Sequence, residues 1–162
     1  MFSIMPDSPS PLPASASASA LRIVEVTEAT IENWRHVHNV VIHTAPLTRG
    51  EVQERVGCCN RLTVAYAGDR LIGCATVRPL EDVGNVTVIV RVLPEHRGRG
   101  YGQELFVEAM EAARDLGGAA VETIVLASNI DGLRFALRHG FVEVSRNLLP
   151  DHETAFITLR LG

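Results

Sequence analysis

Arginine and glycine alternate along Arg97-Gly98-Arg99-Gly100-Tyr101-Gly102, a stretch with the chemistry to hold a diphosphate. The two guanidinium groups offer forked donors that match phosphate oxygens. The glycines stand where a backbone must turn its N–H groups outward or approach a ligand closely. Two familiar phosphate loops are excluded by spacing. No Gly-Lys-Ser/Thr follows, as a Walker loop requires, and the third glycine comes two positions after the second, where a dinucleotide fingerprint needs three. Taken alone the run also suits an ordinary loop, so its meaning depends on the elements around it.

Those elements are a strand and a helix. Val86, Val88, Ile89, Val90, Val92 and Leu93 form a short, β-branched run ending at Pro94, which predicts a buried central strand. After the turn the period changes: Leu105, Ala109, Ala112 and Leu116 make one helical stripe, flanked by Phe106, Met110 and Ala113, with Gly117-Gly118 as a stop. Strand, glycine turn and helix together predict an anion site, because the first N–H groups of a helix lack internal partners and carry the positive end of its dipole.

In this setting the turn resembles the acetyl-CoA-binding motif of the GCN5-related N-acetyltransferases (GNAT): Arg or Gln, two residues, Gly, one residue, then Gly or Ala. Arg97, Gly100 and Gly102 match every specified position. A second family pattern places Asn, then Ala three on, Tyr seven on, and Gly-Phe eleven and twelve on. Asn129, Gly140 and Phe141 fit it, whereas Gly132 replaces the Ala and Ala136 replaces the Tyr. The resemblance covers residues 21 to 161. It implies an α/β (α+β) fold with a mixed central sheet of six to seven strands flanked by about four helices. It also implies acetyl-CoA as cosubstrate, with pyrophosphate on Arg97, Gly98, Arg99, Gly100, Tyr101 and Gly102. The thioester arm would run beside Val90 and Val92, where backbone amides would polarise the acetyl oxygen provided the strand bulges or splays from the one at 120–126, with Asn129 as a further contact or simply a helix cap.

The remaining sequence is consistent with that frame. A chain of 162 residues, 46% hydrophobic, supports one core. The expected division is a disordered Ser/Ala/Pro-rich tail at 1–20 and a single domain at 21–162. A net charge of -4 argues against a nucleic-acid or membrane binder, and neither a secretory signal nor a spanning segment is read, so a cytoplasmic location is expected. Cys58, Cys59 and Cys74 have no metal or disulfide spacing. No metal is expected. Along the chain, the pattern predicts a strand at 21–26, a helix opening at Thr27, a second helix at 48–56 with a Thr48/Glu51 capping box, and a hairpin at 62–77. After the central unit come a strand at 120–126, a helix ending at Gly140, and two closing strands.

Acetyl transfer needs a neutral amine, a polarised carbonyl and a leaving thiolate. Deprotonating a lysine-like amine at pH 7 costs roughly 4.6 kcal/mol and expelling an unprotonated thiol roughly 2 kcal/mol, so a base matters more than an acid. The resemblance implies a Tyr acid at the position held by Ala136, which removes that route; Tyr66, Tyr101, Ser128 or water are the alternatives. In the central strand the polar groups counted are Asn85 and Thr87. Glu81 and Asp82 before it, Glu122 on the next strand, and His38 or His43 near the first helices are candidate bases acting through water. A solvated charge is the alternative for each carboxylate, and a hydrogen-bonded packing role for His38. The resemblance implies acetylation of a primary amine by direct attack in a ternary complex, with a small acceptor expected, its identity not readable from the residues, and a homodimer left open. The alternative is an acyl-CoA-binding module of the same fold that has lost catalysis.

Overall fold

The computed structural model describes residues 21–58, 60–80, 84–117 and 120–162. The expected tail at 1–20, Cys59, Glu81, Asp82 and Gly118 lie outside these residues. In chain order the elements are β1 (Leu21–Glu25), α1 (Ile31–Val41), α2 (Arg49–Gly57), β2 (Arg61–Ala67), β3 (Arg70–Pro79) and β4 (Asn85–Val92). They continue as α3 (Tyr101–Asp115), β5 (Ala120–Leu126), α4 (Ile130–Arg138), β6 (Phe141–Asn147) and β7 (Phe156–Leu161), with a 3-10 turn at Pro94–His96. The strands form one mixed sheet ordered β1-β2-β3-β4-β5-β7-β6, with β4 in the middle as the sequence predicts. All neighbours are antiparallel except β4 and β5. A parallel pair needs a long crossover, and α3 supplies it.

Side chains alternate across the sheet and build a core on each face. On one side Ala75, Val77, Val86 and Val88 pack against Leu105, Ala109 and Ala113 of α3. On the other, Cys74, Leu93 and Leu126 pack with Trp34, Val37 and Val41 of α1 and Val52 of α2. Trp34 is fully buried, and its indole N–H donates to the Ala75 carbonyl at 3.4 Å. Gly73 sets how closely these layers approach. A Cβ there would fall 2.3 Å from the Arg91 carbonyl oxygen and 3.2 Å from Leu105 Cδ1.

Helix boundaries follow local chemistry. Helix α1 begins at Ile31, later than expected, because residues 27–30 form a turn in which the Thr27 amide donates to Thr30 Oγ1 at 2.9 Å. The capping box of α2 is present: Glu51 N–H donates to Thr48 Oγ1 at 3.2 Å, and Thr48 N–H donates to Glu51 Oε2 at 2.7 Å. In α3 the buried stripe is Leu105, Ala109 and Ala113, while Leu116 is exposed. The helix ends at Asp115 and the chain turns away through Gly117 at φ 75, which takes Leu116 off the stripe.

Candidate active site

The central strands separate where the site begins. β4 and β5 pair only at Asn85–Ala120, Val86–Val121 and Thr87–Glu122, and past Glu122 they diverge into a wedge. Leu93 N–H bonds the Ile72 carbonyl and Leu80 N–H bonds the Asn85 carbonyl, both at 2.9 Å. In an antiparallel ladder this fixes the alternation: odd-numbered residues of β4 turn their polar backbone to β3, and even-numbered ones turn it toward β5. Val90 and Val92 therefore aim their N–H groups into the wedge. A cavity of about 680 Å³ fills it, lined by Val88 to Val92 on one rim and Thr123 to Leu126 on the other.

The glycine turn closes one end of this cavity. Gly98 and Gly100 adopt φ of 78 and 85, and a Cβ added at either would meet nothing within 4 Å, so conformation rather than crowding demands glycine. Gly102 differs, since a Cβ there would touch Phe135 at 3.4 Å and Val92 at 3.7 Å. His96 N–H bonds the Leu93 carbonyl and Arg97 N–H bonds the Pro94 carbonyl, and the next internal bond runs from Glu104 N–H to the Gly100 carbonyl. Between them, the amides of residues 98 to 103 meet no acceptor among the described residues. They sit at the start of a 15-residue helix, where the dipole is positive.

Arg97 braces the turn. Its Nε donates to the Val92 carbonyl at 3.0 Å, and one terminal nitrogen lies 3.4 Å from the Asp131 carboxylate. Arg99 is exposed beside it, and Tyr101 is half-buried on the cavity wall. Arg134 and Arg138 line the same cavity from α4. Asn129 caps α4, its Oδ1 accepting from Gly132 N–H at 3.0 Å, and also lines the cavity. A Cβ on Gly132 would fall 2.6 Å from Asn129 Nδ2 and 3.1 Å from Val125. An alanine here, as the family resemblance implies, would require the Asn129 amide and Val125 to shift.

None of the candidate bases among the described residues lines the cavity. Glu81 and Asp82 lie outside the described residues. Glu122 is bound by Arg160, whose Nε and terminal nitrogen reach Oε1 at 3.1 and 2.5 Å. His38 is a packing histidine: it is 4% exposed, stacks on Trp34, and contacts the Ala45 carbonyl through Nε2 at 3.2 Å. Burial first, and the nearby Arg91 charge second, push it down to about 4, so it is neutral at pH 7. His43 is exposed away from the cavity. Ala136 lies on the cavity wall, presenting a methyl group where the resemblance implies a phenol.

Sequence reasoning missed three contributors. Arg91 is a third polar side chain in β4, beyond Asn85 and Thr87, and it lines the cavity; a cation inside a valine run was the signal. His96 lines it too. His139 stacks on Phe135 at 4.1 Å, touches Phe106, and bonds Gln103 of α3 through Nε2, joining α3 to α4 as one wall. Among the described residues, no cluster of three or more His, Cys, Asp or Glu could hold a metal ion, and no helix is long and apolar enough to cross a membrane.

Comparison with curated proteins finds no match. Solved structures share the fold. Ard1 from Thermoplasma volcanium superposes with TM-score 0.74 at 18% identity, covering 88% of this chain and 97% of that one. The ribosomal-protein-S18-alanine N-acetyltransferase from Escherichia coli gives 0.71 at 16%, covering 87% and 92%. The yncA protein from Salmonella typhimurium, solved with its cofactor acetyl-CoA, gives 0.70 at 17%, covering 88% and 93%. A family model described as "Acetyltransferase (GNAT) family" matches residues 25–141, a span that includes β4, the wedge, the glycine turn and α4. The chain belongs to the GNAT acetyltransferase family.

Proposed function

We propose that the protein transfers the acetyl group of acetyl-CoA to a primary amine on a small acceptor, by direct attack in a ternary complex. The observation that carries this reading is the row of amides at 98–103 with no acceptor among the described residues, at the mouth of the wedge. Such donors suit a diphosphate, and Arg99, Arg134 and Arg138 add charge around them. Gly98, Gly100 and Gly102 let the backbone approach, while Arg97 holds the turn to β4. Val90 and Val92 offer N–H groups to a thioester oxygen, which is the placement an oxyanion needs.

In the reaction the amine nitrogen attacks the thioester carbon, the C–N bond forms, and the C–S bond breaks. The ammonium proton passes to water, and the thiolate leaves and takes a proton from solvent. A thiol of pKa about 8.5 leaves unprotonated at a cost of roughly 2 kcal/mol at pH 7, so Ala136 in place of a phenol is tolerable. Glu122 borders Thr87 in register and is the described carboxylate candidate for relaying the amine's proton through water. Glu81 and Asp82 are the others.

Gly100→Leu tests the cofactor assignment. A side chain at φ 85 distorts the turn, so calorimetry should show acetyl-CoA affinity reduced at least about 100-fold while circular dichroism stays native. Unchanged affinity would remove the assignment. The second reading, a binding module without catalysis, is favoured by one observation, the methyl group of Ala136 on the cavity wall. Thiol release with a panel of amines separates the two: release supports transfer, and acetyl-CoA binding without release for any amine supports the module.

A further inference from the structure

Among the described residues, arginines 35, 49, 61, 97, 146 and 160 are in ion pairs, but Arg55, Arg78 and Arg91 are not. All three are half-buried. Arg78 stands opposite Thr87 and Arg91 opposite Cys74 in the β3–β4 ladder. Both side chains therefore leave the sheet on the face where Cys74 packs with α1, opposite to α3. Arg55 comes from the last turn of α2 on that same side.

Arg78 and Arg91 both feel the charge of Arg55. Burial, then the charge of Arg55, lowers the pKa of Arg78; burial lowers that of Arg91, opposed next by Cys74 and then reinforced by smaller contributions from Arg55 and Arg78. His38 on α1 feels Arg91 and Arg55 in the same way. The carboxylate that register brings to this face, Glu122 beside Thr87, is already bound to Arg160. Among the described residues this half-buried group of like charges has no counter-ion, an arrangement that is unfavourable unless something anionic completes it, and guanidinium groups are shaped for bidentate oxyanions. Arg91 also lines the wedge, so the cluster adjoins the place where the amine and thioester would meet. It lies on the other side of the sheet from the turn that serves the diphosphate.

We propose that Arg55, Arg78 and Arg91 form a second anion site, which binds a carboxylate or phosphonate carried by the acceptor and so selects zwitterionic amines over polycationic ones. This rests on the acetyl-transfer reading above. The same charges that bind an oxyanion repel a polyamine, so attraction and exclusion come from one cluster.

The test measures kcat/KM by thiol release for α-amino acids, aminoalkylphosphonates, the matching amino-acid amides, and spermidine. At least one acid series is expected to exceed its neutral or cationic counterparts at least about tenfold, and the better of the two acid series identifies the oxyanion. Arg78→Gln should bring the acid-to-amide ratio toward one, mainly through KM. The proposal is overturned if amides or spermidine react as well as the acids, if protein that binds acetyl-CoA turns over no acid, or if Arg78→Gln keeps the ratio. Failure of acetyl-CoA to bind would remove the acetyl-transfer reading instead. Calorimetric titration of the acids themselves, wild type against Arg78→Gln, then decides the anion site alone: binding lost in the variant supports it, and no binding to either protein overturns it.

Discussion

Gly57 and Gly100 have equally open surroundings, with nothing within 4 Å of an added Cβ, yet only Gly100 has a positive φ, 85. Alanine at 57 adds helix propensity at the end of α2 without strain. Alanine at 100 forces an L-residue into the left-handed region at roughly 1–2 kcal/mol. Urea unfolding should therefore show Gly57→Ala neutral or slightly stabilised and Gly100→Ala destabilised by about that amount. The glycine turn was legible in the sequence because its chemistry is local: alternate small residues, two cations and a helix start adjoin in the chain. Arg78 and Arg91 were not legible as a pair. They are thirteen positions apart, and only the β3–β4 register puts them on one face of adjacent strands, which no local pattern reveals.

Among the elements, α2 depends most on its ends. Val52 is its one buried residue, so core packing gives it little, and the Thr48/Glu51 box supplies acceptors for N–H donors that would otherwise be unmet. Thr48→Ala should cost about 1 kcal/mol and speed amide exchange through α2 ahead of the sheet, as read by hydrogen exchange. Because Arg55 rides on this helix, fraying there would also loosen the acceptor face. The capping box, the hairpin and the closing strands were readable from spacing. The wedge was readable only as a condition, that the strands splay. Where β4 leaves β5 depends on how α3 and α4 seat, and on β7 entering between β5 and β6.

At the scale of the molecule, stability is tied to pH through His38. Its folded value is lowered from 6.5 to about 4, so below 6.5 the unfolded chain binds the proton first and is favoured. Above 6.5 both states are neutral and the group contributes nothing. Between pH 6.5 and 4 the protein should lose up to roughly 3 kcal/mol from this source. Urea midpoints at pH 7, 5 and 4 should fall accordingly for the wild type and more gently for His38→Gln, once each series is referred to its own value at pH 7.

Among the described residues, the ladder joins the β1-β2-β3-β4 part of the sheet to the β5-β7-β6 part at only three residue pairs, and the rest of the join is side-chain packing in the shared core. A guest that bonds to both rims would act as the missing rungs and tie the two parts together more firmly. At a hundred times its dissociation constant such a guest adds about 2.7 kcal/mol, a sizeable fraction of what holds a domain of this size together. Cellular supply of the acyl donor would then govern the protein's lifetime as well as its turnover.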